Sequence, residues 1–281
     1  MTEPRTYYSE RQGRSPITEG FDFETLRRVA TSLISELQEQ GYVTEAFGFY
    51  CSDQGGNVPG TAGSDVEAWF LRKIGRNNVW PWRRHWDDWD ADTLFDVLEV
   101  LYDVVSKPMK QEWHAWDNCG WHFSQFRQLE GRTDYRAKLN PVLARFEVPL
   151  ELTTAGEIRQ LGHEGLRELL NASVPEGTDE GIEERVSDAV RLFRQRHASV
   201  GDRRRAVREL ADVLEALRPE VKEQLLNDDE RDLFTLANSF AIRHNNSKQK
   251  SGYDGAVWLA WMFHVNLAAV HVVLRLRARG S

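Results

Sequence analysis

The chain has 281 residues, of which 41% are hydrophobic and 28% charged, with 9 Pro and 20 Gly. This composition excludes collagen-like, low-complexity and wholly disordered proteins, and the length predicts one large domain or two closely packed ones. The net charge of −8 argues against a protein that coats polyanions without specificity, although it is compatible with a local basic surface. Two cysteines, Cys51 and Cys119, are too few for a disulfide scaffold and favour a reducing, cytoplasmic location.

The first part of the chain is predicted to be mainly helical. Residues 1–20 are polar and lack an apolar stretch, which predicts a flexible arm and no secretory signal. Apolar residues recur every three or four positions from Leu26 to Leu37 and from Leu94 to Val105. Each stretch predicts an amphipathic helix, and Asp92 is the expected N-cap of the second. A shorter apolar helix is expected between them, over 66–75.

A tryptophan-dense segment precedes the second of these helices. It contains four tryptophans among arginines and aspartates: Trp80, Trp82, Trp86 and Trp89. Such side chains can stack on bases or on a sugar, but they can also wedge two domains together. The neighbouring aspartates would repel a phosphate backbone, so packing is the favoured interpretation.

The middle of the chain contains the only strong strand pattern. Residues 146–162, FEVPLELTTAGEIRQLG, predict two strands joined by a turn at 153–156, and hence a single central β-hairpin. The acidic, turn-rich link NASVPEGTDEG that follows it marks the expected domain boundary. We therefore predict an N-terminal domain over 21–172 and a C-terminal helical domain over 180–281.

The C-terminal domain is predicted to contain four helices. Amphipathic stripes occupy 182–193, 206–217 and 233–241, whereas the stretch 256–277 is apolar on nearly all sides. The last stretch approaches the length of a membrane span, but two histidines and an asparagine interrupt it. We therefore expect a buried central helix and no membrane partner. The predicted fold class is a mainly α chain that ends in a four-helix bundle.

The strongest signal for chemistry is the polar segment SFAIRHNNSKQKSGYD, residues 239–254. Arg243 can stabilise a developing phosphate charge, and His244 can transfer a proton near neutral pH. Asn245, Asn246 and Gln249 can orient a sugar or a phosphate. The alternative is that Arg243 and His244 cap the preceding helix while the asparagines form the turn.

These residues also carry a resemblance to a known family. A helix that ends in an Arg and a polar residue, followed by a loop and a long apolar terminal helix, resembles the HEPN superfamily of four-helix domains, and the likeness covers residues 180–278. The segment ANSFAIRHNNSKQKSGYDGAVWLAWMF is also similar in sequence to a group of uncharacterised bacterial proteins related to abortive infection. Residues 1–170 resemble only that group.

The resemblance implies a cytoplasmic bacterial toxin of anti-phage defence that acts as a metal-independent endoribonuclease without a cofactor. Arg243 and His244 match the Arg and the polar residue of the superfamily motif, whereas its final His is absent, since Gln249 stands six residues after Arg243 and 245–250 contain no His. A homodimer and a phage-derived trigger or partner protein are also implied. The alternative is a non-catalytic module or scaffold that binds RNA or protein.

Charge distribution independently suggests a polyanion-binding surface. Between Arg191 and Arg208, seven positive charges less the single negative charge of Asp202 give a local balance of +6. The seven residues are Arg191, Arg194, Arg196, Arg203, Arg204, Arg205 and Arg208. Such a cluster suits RNA phosphates, which arginine contacts without reading bases. The alternative is a solvated helix corner balanced by the acidic run at 176–188.

Two groups containing histidine are weaker candidates. His264 and His271 lie seven apart on nearly one helix face, where they suit either a site completed by Arg243 or hydrogen-bonded core histidines.

The second group is HAWDNCGWH, residues 114–122, which brings together His114, Cys119 and His122. These could hold a transition metal if Cys51 or Asp117 completed the shell. The spacing matches no common zinc motif, so structural packing is the favoured interpretation and no metal is predicted.

Overall fold

The protein is described by a computed structural model over residues 8–12, 20–115, 119–162, 164–224, 231 and 255–280. Of these residues 61% are helical and 14% lie in strands, which confirms a mainly α protein. The chain divides into two compact units, Met1–Ile158 and Arg159–Ser281, and this division precedes the acidic link at 171–181.

The N-terminal unit has six described α-helices, and all of them except the first contribute residues to one apolar core. They are α1 (Tyr8–Arg11), α2 (Phe23–Glu39), α3 (Thr44–Phe47), α4 (Val66–Ile74), α5 (Ala91–Val104) and α6 (Gln128–Leu143). The predicted apolar stripes coincide with α2 and α5, which pack against each other and against α6. The expected cap of α5 is wrong by two residues: Asp90 accepts the hydrogen bond from the backbone N–H of Thr93 at 2.7 Å, because it immediately precedes the first turn.

The prediction of a single hairpin is wrong, because the strands of the described residues form three two-stranded sheets. β1 (Phe49–Cys51) pairs antiparallel with β2 (Gly56–Val58), and β3 (Lys107–His114) with β4 (Gly120–Arg127). β5 (Leu150–Leu152) and β6 (Ile158–Gln160) form the expected central hairpin. The first two pairs carry a weak sequence signal, because β1 and β2 have 3 residues each and β3 is mostly exposed.

The tryptophan-dense segment packs inside the N-terminal unit. Trp82 and Trp89 are buried, and Trp80 and Trp86 pack against the same core. The indole N–H of Trp82 donates to Oε1 of Gln38 at 2.8 Å, and that of Trp89 donates to a backbone carbonyl at 3.1 Å. Buried rings with satisfied N–H groups contribute to the core, so Trp82 and Trp89 are unavailable for stacking on bases.

The C-terminal unit contains a second apolar core. Its described helices are α7 (Arg167–Leu170), α8 (Glu180–Phe193), α9 (Val200–Ala216), α10 (Arg218–Gln224) and α11 (Gly255–Gly280). α8 packs against α9, and α11 packs against α9 and α10. The stripe predicted at 233–241 lies outside the described residues, so the four-helix bundle remains a prediction.

Helix α11 has one buried face and one exposed apolar face. Phe263, Leu267 and Val270 are fully buried, whereas Trp258 and Trp261 are exposed. Among the described residues, Val257–Arg279 is the one segment long and apolar enough to cross a membrane, with a mean hydropathy of 1.7 and half of its apolar window buried.

Candidate functional site

The four predicted catalytic residues, Arg243, His244, Asn245 and Gln249, lie outside the described residues. Their roles therefore remain predictions. The predicted arginine cluster, in contrast, lies at the end of α8, in the following link and in the first half of α9, and all seven of its members are described.

Three of these arginines form an exposed surface on α9. Arg204, Arg205 and Arg208 are exposed, and the helical period places them within an arc of about 100°. The opposite side of the same turns carries Ala206 and Val207, which are fully buried. We call Arg204, Arg205 and Arg208 the α9 arginine face. Because the helix is anchored through its apolar side, these three side chains lie on its exposed side.

Neighbouring carboxylates hold part of the cluster in surface ion pairs. Arg205 pairs with Asp202, which also completes a capping box with Ser199 at the start of α9. Arg191, at the end of α8, pairs with Asp188 at 2.7 Å. Exposed pairs of this kind contribute between about 0 and 1 kcal/mol, so a phosphate can replace the carboxylate at little cost.

Arg194 has a different environment from the exposed arginines. Its side chain is buried, and its guanidinium donates to the backbone carbonyl of Gln160 at 2.9 and 3.0 Å and to Oδ1 of Asn171 at 3.3 Å. Arg203 is half-buried, donates to Oε1 of Gln160 at 3.2 Å and lies over the Phe193 ring. Arg194 and Arg203 therefore hold the C-terminal unit together, whereas the side chains of the α9 arginine face are exposed.

Replacement of Arg194 by Ala is expected to destabilise the C-terminal unit by about 3 kcal/mol, because it removes the charge-assisted hydrogen bonds of a buried guanidinium. Arg204→Ala removes an equal charge from the exposed face and should change the stability by less than about 0.5 kcal/mol. The free energy of unfolding from denaturant titration compares the two variants. Equal effects of both substitutions would contradict the structural role of Arg194.

The two histidines of α11 lie in different environments. Nδ1 of His264 is 2.6 Å from the carbonyl oxygen of Ala260, one turn earlier, which is the contact expected of a core histidine. His271 is buried, and this burial, with the neighbouring charge of Arg275, lowers the pKa of its imidazole. His271 is therefore a neutral group near pH 7.

In the N-terminal unit, two cysteines and two histidines converge. The ligand atoms of Cys51, His114, Cys119 and His122 all lie within 4.8 Å of one another. Sγ of Cys51 is 3.8 Å from Nδ1 of His114, and Sγ of Cys119 is 3.0 Å from Nε2 of His122. We call these four residues the thiol–imidazole cluster. Sequence reasoning grouped three of them and suggested Cys51 as the fourth, but it favoured structural packing.

Two hairpins position the thiol–imidazole cluster. Cys51 is the last residue of β1, and His114 is the last residue of β3. Cys119 immediately precedes β4, where Gly120 has a φ of +95°, a backbone conformation that favours glycine. His122 is the third residue of β4, and it pairs with Glu112 across the hairpin. The register of the β3–β4 pair, in which His114 lies opposite Gly120, therefore places Cys119 and His122 beside His114.

The surroundings of Cys119 and His122 lower the pKa values of both side chains. Hydrogen bonding from Ser52 lowers the pKa of the Cys119 thiol, which favours the thiolate. Burial lowers the pKa of His122, which favours the neutral imidazole. Oδ2 of Asp53 lies 3.1 Å from Nδ1 of His114, the same nitrogen that lies 3.8 Å from Sγ of Cys51.

Asp117, the alternative fourth ligand considered from sequence, lies outside the described residues. Comparison of the chain with protein-family models, with curated proteins and with solved structures finds no match.

Proposed function

We propose that the protein is an RNA-binding effector of bacterial anti-phage defence, and that its C-terminal unit docks RNA on the α9 arginine face. The observation that carries this proposal is the exposure of Arg204, Arg205 and Arg208 on one side of a helix whose other side is buried. A guanidinium group offers two parallel N–H donors to a phosphate, so a row of three can follow a nucleic-acid backbone.

The charge of the remaining chain gives the docking surface its selectivity. The whole chain has a net charge of −8 and residues 191–208 carry +6, so the rest of the chain sums to −14 (−8 − 6) and on balance repels a polyanion. Binding should then depend on phosphate contacts at the basic surface and read little sequence. The resemblance to HEPN domains supports RNA, among polyanions, as the ligand.

Cleavage of the docked RNA is the catalytic part of the proposal. Arg243 would stabilise the negative charge of the pentacoordinate phosphate, and His244 would transfer the proton of the attacking or leaving oxygen. Asn245 and Gln249 would orient the sugar and the phosphate. Such a reaction needs no metal ion, and the resemblance supports a homodimer that responds to a phage-derived trigger or partner.

One observation favours a second candidate function. The position six residues after Arg243 is Gln249, where the superfamily motif ends in His. A protein that lacks this second proton-transfer group can still bind RNA, in which case it is a non-catalytic module or scaffold of a defence complex. The two candidates share the docking surface and differ only in turnover.

The triple variant Arg204→Ala, Arg205→Ala, Arg208→Ala tests the docking surface. Each lost phosphate contact on a single strand reduces the slope of log K against log salt by about 0.7, so the variant should lose a slope of about 2. The measurement is equilibrium binding of a fluorescent single-stranded RNA at several salt concentrations.

The matched control is Arg72→Ala, Arg83→Ala, Arg84→Ala, which removes three exposed arginines from the N-terminal unit. Both variants change the net charge equally, so only a local docking surface separates them. RNA affinities that fall equally in the two variants, or in neither, would contradict the proposed surface.

A further inference from the structure

The thiol–imidazole cluster belongs to the N-terminal unit and is independent of the proposed RNA surface. Two thiolates and two imidazoles are a ligand set that selects Zn²⁺ among common divalent ions, because both are borderline or soft donors. The chain contains only two cysteines, and both are in this cluster.

The separations within the cluster fit a tetrahedral ion. Zn–S bonds of about 2.3 Å and Zn–N bonds of about 2.0 Å place tetrahedral ligand atoms roughly 3.3 to 3.8 Å apart. The atoms observed here lie 3.8 Å apart for Cys51 and His114, 3.0 Å apart for Cys119 and His122, and within 4.8 Å in every combination. Adjustments of about an ångström, which side-chain rotation can supply, bring all four onto one ion.

The surrounding chain gives the ion a mechanical role. β1 and β2 have 3 residues each, and most residues of β3 are exposed. Burial of side chains therefore gives these two hairpins little support. Isolated two-stranded hairpins are only marginally stable in water. An ion held by Cys51 from one hairpin and by His114, Cys119 and His122 from the other would cross-link the two.

We propose that Cys51, His114, Cys119 and His122 bind one Zn²⁺ ion as a structural site that joins the β1–β2 hairpin to the β3–β4 hairpin. Four protein ligands complete the tetrahedral shell and leave no position for water or substrate, which is typical of structural rather than catalytic zinc. The two units thus have separate roles, with the ion in one and the RNA surface in the other.

The first experiment measures zinc in the full-length protein purified under reducing conditions. We expect about one Zn²⁺ per chain by elemental analysis. Titration of the metal-stripped protein with Co²⁺ should produce the visible absorption of tetrahedral cobalt and the thiolate-to-cobalt charge-transfer band. Zn²⁺ should then displace Co²⁺ and remove both signals. This titration uses the unmodified chain, so it does not depend on the folding of a variant.

Three variants locate the site. The double variant Cys51→Ser, Cys119→Ser should bind no Zn²⁺ and should show no cobalt absorption bands. The single variant Cys119→His keeps a ligand at that position, so it should retain Zn²⁺ and lose only part of the thiolate-to-cobalt charge-transfer band. His85→Ala with His197→Ala removes two histidines outside the cluster and should leave one Zn²⁺ per chain.

Three results would overturn the zinc site. The first is a reduced wild-type protein that contains no zinc and shows no cobalt bands on titration. The second is metal that remains bound in the Cys51→Ser, Cys119→Ser variant. The third is a Cys51–Cys119 disulfide in protein isolated directly from cells. None of them bears on the α9 arginine face, because RNA binding is measured separately.

Discussion

The double substitution Arg243→Ala, His244→Ala is expected to lower RNA cleavage at least 1,000-fold while RNA binding persists. Removal of a general acid or base commonly costs about 10²- to 10⁴-fold, and loss of a charge that stabilises the transition state costs about 10²- to 10³-fold. The reaction should proceed without added Mg²⁺ or Mn²⁺, using total cellular RNA and purified tRNA as substrates. Because EDTA would also remove a structural zinc ion, an EDTA arm should be repeated after Zn²⁺ is restored.

The matched control for this experiment is Arg72→Ala with His85→Ala, which removes the same two residue types from the N-terminal unit. It should cleave RNA at the wild-type rate. Cleavage that survives the Arg243→Ala, His244→Ala change would contradict the proposed catalytic residues. A wild-type protein that binds RNA through the α9 arginine face but never cleaves it would establish the non-catalytic module instead.

Phe263→Ala is expected to lower the free energy of unfolding of the C-terminal unit by about 3 to 5 kcal/mol. Phe263 is fully buried on α11, and its ring stacks on that of Phe193 from α8 with centroids 3.9 Å apart and planes 9° apart. Truncation removes this contact and leaves a cavity between the helices. In hydrogen exchange, backbone amides of α8, α9 and α11 should exchange about 10²- to 10⁴-fold faster, whereas those of α2 and α5 should not change.

Val272→Ala on the same helix is the control, because Val272 is exposed and its truncation leaves no buried cavity. It should alter exchange by less than a few fold. If Phe263→Ala leaves the exchange of α8 and α9 unchanged, α11 does not pack against them in solution. That outcome would favour a helix that resides elsewhere, including in a membrane, for which its length and composition suffice.

The sequence identified helices best where burial follows the helical period. In α2, Leu26, Ala30, Ile34 and Leu37 are buried at that spacing, and the periodicity located the helix to within a few residues. α6 shows the opposite case. Its buried residues are Gly131, Tyr135, Leu139 and Leu143, spaced four apart in a helix that is otherwise polar, so the apolar stripe is too narrow to detect.

Gly131 shows why such a helix cannot be recognised from hydropathy alone. A Cβ at this position would lie 2.7 Å from the backbone nitrogen of Lys107, so the helix approaches the start of β3 through a residue without a side chain. The tertiary contact that requires glycine is invisible in the sequence, where a glycine within a helix counts against helix formation.

The candidate sites show a similar division. The local density of arginines predicted a basic surface, but it could not separate the buried Arg194 from the exposed Arg204, because that difference depends on which side of the helix meets the core. The thiol–imidazole cluster depends on Cys51, which is distant in sequence from the other three members. The local signal was the group His114, Cys119 and His122, which lies within residues 114–122.

The central claim, that the C-terminal unit docks RNA through exposed arginines, is tested most directly by wild-type RNA binding at 50 and 200 mM salt. Three phosphate contacts on a single strand predict an affinity about 20-fold lower at the higher concentration. The triple variant of the α9 arginine face should lose most of this dependence. An affinity that does not change between the two salt concentrations, or an absence of binding at 50 mM, would contradict the claim.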